Sequence, residues 1–366
     1  MGYVAVRGGE HAIAEAIRSL DALRAGAAEV AGDAGEPLAV EAIRHQLRLL
    51  VDRVMGEGGL YDPRLAALAI KQAQGDPLEA AFILRAHRSN LPRLGESAPH
   101  QGSAMRLIRR ISSAFKEIPG GQRLGPSTDY LQRLFRLDLL DEDPAAFRAA
   151  AAAIPGIPPT ACDFPKVVEG LRAQGLLQEV GAAQPAVDIT RAPVAFPIPR
   201  PARLAHLTRG ETGGVLTMAY TTMRGYGYLH PTVAELRVGY LPVMLPHPLT
   251  GEPVEAGEVL VTECEIVATH GGGPGEGPPR ILLGYGGCFG HNEVKAIAIA
   301  MCDRAMLSGD ERGPRHPAED PEFVVCHVDG IEAMGFCSHY KLPHYVTFQS
   351  DLENIRASAA KLKGSA

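Results

Sequence analysis

A thiol and two imidazoles lie within eight residues near the C-terminal end of the sequence, at Cys337, His339 and His344. Imidazole and thiolate are the usual protein ligands of zinc. The histidines are five residues apart, whereas side chains on one helix face are three or four apart, and Pro343 between them disfavours a helix. We therefore expect a strand end and a turn to present His339 and His344.

Two histidines supply only half of a four-coordinate zinc site. If a metal binds at His339 and His344, its other ligands come from elsewhere in the fold, from a substrate or from another chain. Two unrelated histidines, on the surface or in the core, would give the same spacing. The spacing alone slightly favours that second interpretation.

A second candidate site lies on the predicted strand 259–267, where Glu263 and Glu265 alternate with apolar residues. The two carboxylates share one face and lie roughly 7 Å apart, because each strand residue rises about 3.3 Å. Paired carboxylates at such a separation act as acid and base, or stabilise a positively charged sugar ring. The residues alone favour a solvated sheet face instead.

Arginines and aromatic residues form two candidate substrate sites. A predicted helix over 103–116 places Arg106, Arg109 and Arg110 on one face, where guanidinium groups could clamp phosphates. A solvated face or a subunit contact is the favoured alternative. Arg224, Tyr226 and His230 cluster in a glycine-containing turn that could stack a purine and bind phosphate, or could simply end a β-hairpin.

The glycine-rich segment 284–290 precedes a predicted helix that Asn292 could cap. It carries Phe289 where the third glycine of a dinucleotide-binding motif would stand, and the chain has no Walker lysine. We therefore expect this segment to pack a strand tightly against a helix.

Composition excludes several classes of protein. The chain has 366 residues, 46% of them hydrophobic, which is enough for two domains with a substantial core. A net charge of −6 argues against a general nucleic-acid binder. The six cysteines form no CxxC pair, which is typical of reduced thiols. With no signal-peptide pattern and no apolar run near the ~20 residues that span a bilayer, we expect a soluble cytoplasmic protein.

Periodicity predicts an α+β fold, with a mainly helical N-terminal domain and a mixed β-sheet domain with flanking helices. We place the helical domain at 1–155, a proline-rich linker or wrapping segment at 156–201, and the sheet domain, with the metal site, at 202–366. Helices are predicted over 10–24 and 39–55, after Asp76-Pro77, after Asn292 and from Ser350. Strands are predicted over 215–222, 234–243, 259–267, 281–289 and 323–328.

Motifs along most of the chain resemble the PhnI family, the I subunits of the bacterial carbon–phosphorus lyase core complex. None of them is a general catalytic signature, and their order along the chain makes the resemblance specific. The least similar parts are roughly 141–187 and 270–280. The matching segments are 3–10, 51–58, 65–73, 82–86, 109–112, 118–122, 124–126, 224–227, 230–231, 260–265, 303–305 and 332–349.

The resemblance implies an enzyme subunit that works with G, H, J and L proteins. The family resembles a nucleosidase: alone it splits the base from ATP or GTP with water. With its partners it replaces adenine at C1′ by an alkylphosphonate, giving α-D-ribose 1-methylphosphonate 5-triphosphate. The iron–sulfur cluster and the S-adenosylmethionine radical chemistry belong to the J subunit, and this chain lacks the necessary cysteine set.

The resemblance also assigns the metal site. Two family histidines bind zinc at the contact with the J subunit, and by motif they correspond to His339 and His344. The position of Cys337 is usually apolar, so we expect Cys337 to be a small buried residue and not a ligand. With the resemblance included, a catalytic Glu263–Glu265 pair and a solvated sheet face become about equal interpretations.

Two other functions compete with the enzyme subunit. The chain could be a non-catalytic assembly subunit whose His339 and His344 serve a partner's active site. It could also be a self-contained zinc hydrolase, which is disfavoured because the sequence shows no obvious third ligand and no HExxH helix.

Overall fold

The structure is a computed structural model that describes residues 9–26, 37–100, 102–131, 133–153, 156, 160, 164–181, 184–224, 230–273 and 277–364. Within these ranges the chain forms α-helices and one β-sheet, so the predicted α+β class is confirmed. No helix in the described ranges is both long and apolar enough to cross a membrane.

The helices and strands alternate irregularly along the chain. The helices are α1 Gly9–Arg24, α2 Val40–Gln46, α3 Arg48–Gly58, α4 Pro63–Gln72, α5 Pro77–Arg88, α6 Pro144–Ala153, α7 Val167–Ala173, α8 Arg200–Arg209, α9 Thr212–Thr221, α10 Glu293–Arg312, α11 Pro321–His327, α12 Gly330–His339 and α13 Tyr345–Gly364. The strands are β1 Arg106–Ile111, β2 Thr232–Pro246, β3 Pro253–His270 and β4 Arg280–Phe289.

The sheet has the order β1-β2-β3-β4, and every neighbouring pair is antiparallel. Glu263 of β3 therefore stands between Arg237 of β2 and Gly287 of β4, while Glu265 stands between Glu235 and Tyr285. This register brings charged residues of β2 and β3 onto one face of the sheet, together with Tyr285 of β4. The opposite face is apolar and carries the main core.

Helix α10 packs on the apolar face so closely that its backbone contacts the backbone of β4. A Cβ atom added to Gly286 of β4 would lie 2.1 Å from the carbonyl oxygen of Ala296, and one added to Gly284 would lie 2.1 Å from that of Ala300. Only glycine leaves room for so close an approach. The predicted tight packing between the glycine-rich strand and the following helix is confirmed.

The N-terminal helices α2 to α5 form a separate hydrophobic cluster beside the sheet. Helices α4 and α5 each begin with an aspartate cap followed by proline, Asp62-Pro63 and Asp76-Pro77, and both caps accept backbone N–H bonds. The start predicted at Asp76 is confirmed. Arg85 of α5 then donates to the carbonyl oxygens of Glu57 and Arg209, which ties this cluster to α8.

Two segments that were predicted as strands from their β-branched residues are helical, because each follows a helix cap. Residues 215–222 lie in and just after α9, whose Glu211 cap accepts bonds from the backbone N–H groups of Gly213 and Gly214. Residues 323–328 lie in and just after α11, which begins with Asp320-Pro321, the same signal as at Asp76. The Asp-Pro pair was present in the sequence and should have predicted the second helix.

The predicted helix over 103–116 is also wrong, because residues 106–111 form β1 and pair with β2. The helix predicted over 39–55 is two helices that meet at Leu47, which departs from helical geometry. The terminal helix begins at Tyr345 and not at Ser350. The proposed linker contains α7, and the domain boundaries at 155 and 201 stay predictions.

Candidate functional site

The predicted metal pair, His339 and His344, comes together at the turn between α12 and α13. The two Nε2 atoms are 3.0 Å apart. His339 ends α12, so a helix end and a turn present the histidines, and the predicted strand end is wrong. Pro343 lies in the turn after α12 and therefore does not break the helix. Asp329 caps the start of α12.

The hydrogen bonds of the pair suit a metal site. The Nδ1 atom of His344 donates to the carbonyl oxygen of Leu342 at 2.6 Å, which fixes the tautomer and makes Nε2 the acceptor of the hydrogen bond from His339 Nε2. Two nitrogen ligands of tetrahedral zinc, at Zn–N of about 2.0–2.1 Å, stand about 3.3 Å apart. The observed separation is close to that value, so the two residues fit one half of a zinc site.

The surroundings of the pair are exposed and apolar. Large side chains that reach solvent flank it, namely Phe336, Tyr340, Tyr345 and Phe348. Cys337 is exposed as well, so the expectation that it is buried is wrong. Among the described residues, no group of three or more histidine, cysteine or acidic side chains could hold a metal ion. Any further ligand of the pair would have to come from outside these residues.

The predicted carboxylates, Glu263 and Glu265, share a buried face of the sheet. Their side chains are 5% and 7% exposed, so the alternative of a solvated face is wrong. Lys166 lies over both and donates to Glu263 Oε1 at 2.6 Å and to Glu265 Oε1 at 2.8 Å. One ammonium is therefore shared by two carboxylates. Lys166 also lines a cavity of about 380 Å³ between α7 and residues 115–119.

Glu235 is the centre of the same polar face. Its carboxylate accepts from Arg110 and Arg237, and from the backbone N–H of Val167 at 2.9 Å. Tyr285, on the neighbouring strand, contacts Glu263 through its hydroxyl group. The face thus carries three carboxylates, Glu235, Glu263 and Glu265, opposite three cations, Arg110, Arg237 and Lys166. We refer to these residues and Tyr285 as the sheet network.

The surroundings of the sheet network shift the pKa values of its residues in different directions. Burial raises the pKa of Glu265 more than Lys166 lowers it. Burial also opposes ionisation of Glu235, but the two arginines and the Val167 N–H overcome it, so the pKa of Glu235 is lowered. Burial and the nearby carboxylates raise the pKa of Tyr285 well above its ordinary value. Carboxyl groups with divergent pKa values can take separate acid and base roles.

The three arginines predicted to share a helix face diverge. Arg106 pairs with Glu258 near the edge of the sheet. Arg109 projects to the side of α10 and contacts Asp129 and Glu293, whereas Arg110 projects to the sheet network. Strand geometry and a register shift between Leu107 and Arg109 cause this split, so the predicted common face of the three arginines is wrong. Their binding of phosphate stays a prediction.

The remaining predicted cluster is described only in part. Arg224 is exposed and stacks over the ring of Tyr220, and His230 is exposed before β2. Tyr226 lies outside the described residues, so the predicted purine site stays a prediction.

Sequence analysis missed Lys166, Glu235 and Arg237. Glu235 and Arg237 alternate on a predicted strand in the same way as Glu263 and Glu265, and that signal was available. Lys166 was hidden because it lies in a proline-rich segment with no periodicity, and only the fold brings it over β3.

Comparison with known proteins identifies the class of this chain as the bacterial proteins of phosphonate metabolism. Residues 2–362 match the family described as "Bacterial phosphonate metabolism protein (PhnI)". The chain belongs to the PhnI family, so the resemblance seen in the motifs is confirmed.

Curated relatives agree with this assignment and match over nearly their full length. The chain is 60% identical to the "Putative C-P lyase subunit protein HtxH" of Stutzerimonas stutzeri, over 99% of this chain and 97% of the relative. It is 47% identical to the "Alpha-D-ribose 1-methylphosphonate 5-triphosphate synthase subunit PhnI" of Escherichia coli strain K12, over 97% of both chains. The protein of the same name from Rhizobium meliloti strain 1021 is 42% identical, over 97% of this chain and 94% of its own length.

Proposed function

We propose that this chain is a catalytic subunit of a cytoplasmic carbon–phosphorus lyase system. Its reaction would replace the purine of ATP or GTP at ribose C1′ by an alkylphosphonate, giving α-D-ribose 1-methylphosphonate 5-triphosphate. The observation that carries the proposal is the 47% identity, over 97% of both chains, to a relative named as a synthase subunit for that product. The partners would be the G, H, J and L proteins, and water would replace the phosphonate in the isolated chain.

This reaction makes three demands on the protein. The site must protonate the leaving purine, stabilise an electron-poor ribose, and exclude water so that a weak phosphonate nucleophile reacts. The sheet network supports the first two demands. Glu265, whose pKa burial raises, would hold a proton for the purine, and Glu263 would offer negative charge to the ribose. Lys166 would have to move aside, because it lies over both carboxylates.

We also propose a zinc ion at His339 and His344, shared with a partner subunit. The lone pair of His344 Nε2 supports this assignment, and so does the separation of 3.0 Å between the two Nε2 atoms. When bound, zinc would supply Lewis-acid polarisation of an oxygen atom or a structural link to the partner. The histidines themselves would orient the ion: the bond from Nδ1 to Leu342 holds the His344 ring in place.

A second candidate function is that of an assembly subunit whose histidines complete a partner's active site. The exposed aromatic residues around the pair favour it, since Phe336 is 61% exposed and Tyr340 65% exposed. Apolar surface of this kind typically becomes buried against another protein. In this case the sheet network would be purely structural.

Release of adenine from ATP by the purified chain tests the proposal. We expect free adenine with the wild type and a loss of about 100-fold or more with Glu263→Gln, if this carboxylate acts in the reaction. The exposed variant Glu41→Gln is the control and should keep full activity. Chromatography of the free base is the measurement.

The outcome separates the two candidate functions. If the folded wild-type chain releases no adenine, and none appears when the G, H and L proteins and methylphosphonate are added, the catalytic proposal is wrong. Loss of adenine release in His339→Ala, with zinc lost as well, would assign the metal to this step. Full release by a zinc-free His339→Ala would assign the metal to another step or to assembly.

A further inference from the structure

A cavity of about 300 Å³ lies between the N-terminal helices and α8, away from the sheet network and the histidine pair. Its walls come from the end of α3, the end of α5, the segment 187–190 and the end of α8. Two arginines, Arg88 and Arg209, line it together with Gly56 and Gly59. Basic side chains beside bare backbone are typical of sites for phosphate-type anions.

Arg88 is the residue that marks this cavity as a binding site. Its half-buried guanidinium has no hydrogen bond and no ion pair within 4.0 Å among the residues that the structure describes. Burial, Arg209 and Arg85 lower the pKa of Arg88, and the charge of Asp188 only partly offsets them. A partly desolvated guanidinium without a partner is costly, and a bound anion would remove that cost.

Arg209 offers a second donor on the same wall. Its side chain is 16% exposed, and its Nε atom is fully buried without a hydrogen-bond partner in the described part of the chain. Its contacts to acidic groups are long, 3.4 Å to Glu332 and 3.6 Å to Asp329, because Arg85 already binds the Asp329 carboxylate at 2.9 Å. Arg209 therefore keeps bonding capacity at its terminal nitrogens, whereas the buried Nε atom is closed to a ligand.

The other polar residues of the cavity already have partners. Thr208 donates its hydroxyl to the carbonyl of Gly287, and Thr190 donates its hydroxyl to Asp188. Asp188 also contacts Arg93, and these bonds lower its pKa to about 2, so it stays ionised. The charge of Asp188 also acts on Arg88, so it offsets part of the positive charge of the cavity.

Gly59 shapes the floor of the cavity. It follows α3 in the left-handed conformation, with φ of +64°, and a Cβ atom there would lie 3.0 Å from Nη1 of Arg88. A glycine therefore lets the guanidinium lie against the backbone. The volume of about 300 Å³ is at the lower limit for ligand pockets, which suits a phosphate chain better than a whole nucleotide.

From these contacts we infer that the cavity binds a polyphosphate-type anion through Arg88 and Arg209, at a site separate from the sheet network. The arginines of β1, which the sequence offered for the same role, are committed to Glu258, Asp129, Glu293 and Glu235. Arg88 and Arg209 are the cavity's cations with donors to spare.

Calorimetric titration of the full chain with inorganic triphosphate tests the site without any turnover. We expect saturable binding by the wild type, weakened roughly tenfold or more by Arg88→Gln. Arg88→Lys should lie between the two, because lysine keeps the charge but loses the planar fork. Arg64→Gln is the matched control, since Arg64 is an exposed arginine on α4 outside the cavity, and it should bind as the wild type does.

Each outcome decides the inference. The absence of triphosphate binding by the folded wild type would overturn it, as would equal binding by the wild type and both Arg88 variants. If Arg88→Gln does not fold, as judged by circular dichroism, the milder Arg88→Lys variant decides. Adenine release is measured separately, so triphosphate binding without adenine release would reject the proposed function and leave the site intact.

Discussion

At the scale of single residues, folding shifts the pKa values of two carboxylates of the sheet network in opposite directions. Glu235 accepts from two arginines and a backbone N–H, and its pKa is lowered. Glu265 shares one ammonium with Glu263, and its pKa is raised by burial. The fold therefore stabilises the charge of Glu235 and opposes that of Glu265, although the two residues are paired across neighbouring strands.

This difference predicts unequal effects of removing each charge. At pH 7, Glu235→Gln should lower the free energy of unfolding by about 3 kcal/mol or more, because it leaves two buried arginines without their anion. Glu265→Gln should change it by less than about 1 kcal/mol, because Lys166 keeps Glu263. Urea unfolding at pH 7 measures both values. A larger loss of unfolding free energy in Glu265→Gln than in Glu235→Gln would contradict the view that the charge of Glu235 is the more stabilising one.

The pH dependence of the two contributions has opposite signs. A lowered pKa means that Glu235 stabilises the fold above its ordinary value of 4.5, and this contribution is lost as the pH falls through its folded pKa. A raised pKa means that Glu265 favours the fold below 4.5 and loses this contribution as the pH rises through its folded pKa. The melting temperature of Glu265→Gln relative to wild type should therefore increase between pH 4 and pH 8.

The histidine pair gives a further prediction at this scale, under the zinc proposal. His344→Ala should reduce zinc binding at least tenfold, because one nitrogen ligand of a two-ligand site is lost. Equilibrium dialysis with metal analysis measures the effect, and the exposed His45 provides a control variant, His45→Ala. Zinc binding that is unchanged in both His339→Ala and His344→Ala would place the ion elsewhere.

At the scale of helices and strands, the contact of α10 with β4 depends on glycine. Gly286→Ala should lower the free energy of unfolding by about 1–3 kcal/mol, because the new methyl group would lie 2.1 Å from the carbonyl of Ala296. Gly287→Ala is the matched control on the other face, where the nearest atom is the Tyr285 hydroxyl at 3.3 Å. Denaturant unfolding compares the two variants. Equal losses of unfolding free energy would mean that α10 can move away from β4 to make room for the methyl group.

The elements also show what the sequence could predict. Strands β2 to β4 and helices such as α5 follow from local alternation and from the Asp76-Pro77 cap. Strand β1 could not be predicted locally, because its four buried residues Leu107–Arg110 include two arginines whose partners, Glu235, Asp129 and Glu293, are distant in sequence. For the same reason the sequence predicted Glu263 and Glu265 but not the lysine that joins them.

At the scale of the whole molecule, Arg85 connects the N-terminal helices to the region of the histidine pair. It binds Asp329, which caps α12, and the carbonyl oxygens of Glu57 and Arg209. We expect Arg85→Ala to lower the free energy of unfolding by about 3 kcal/mol, because Asp329 loses a nearly buried partner. Arg44→Ala, at an exposed ion pair, should change it by less than about 1 kcal/mol. Thermal unfolding distinguishes the two.

The direct contact between α10 and β4 also has a mechanical consequence. With no side chains between them at Gly284 and Gly286, the helix cannot slide along the strand without driving its carbonyl groups into neighbouring Cβ atoms. Asp303 of α10 adds a clamp, since it binds both Arg200 and the backbone N–H of Tyr285. Helix α10 and the sheet therefore move as one rigid unit. A displacement of α8 at the arginine cavity would reach the face of the sheet that carries Tyr285 and Glu263, because Arg200 of α8 is bound to Asp303 of α10.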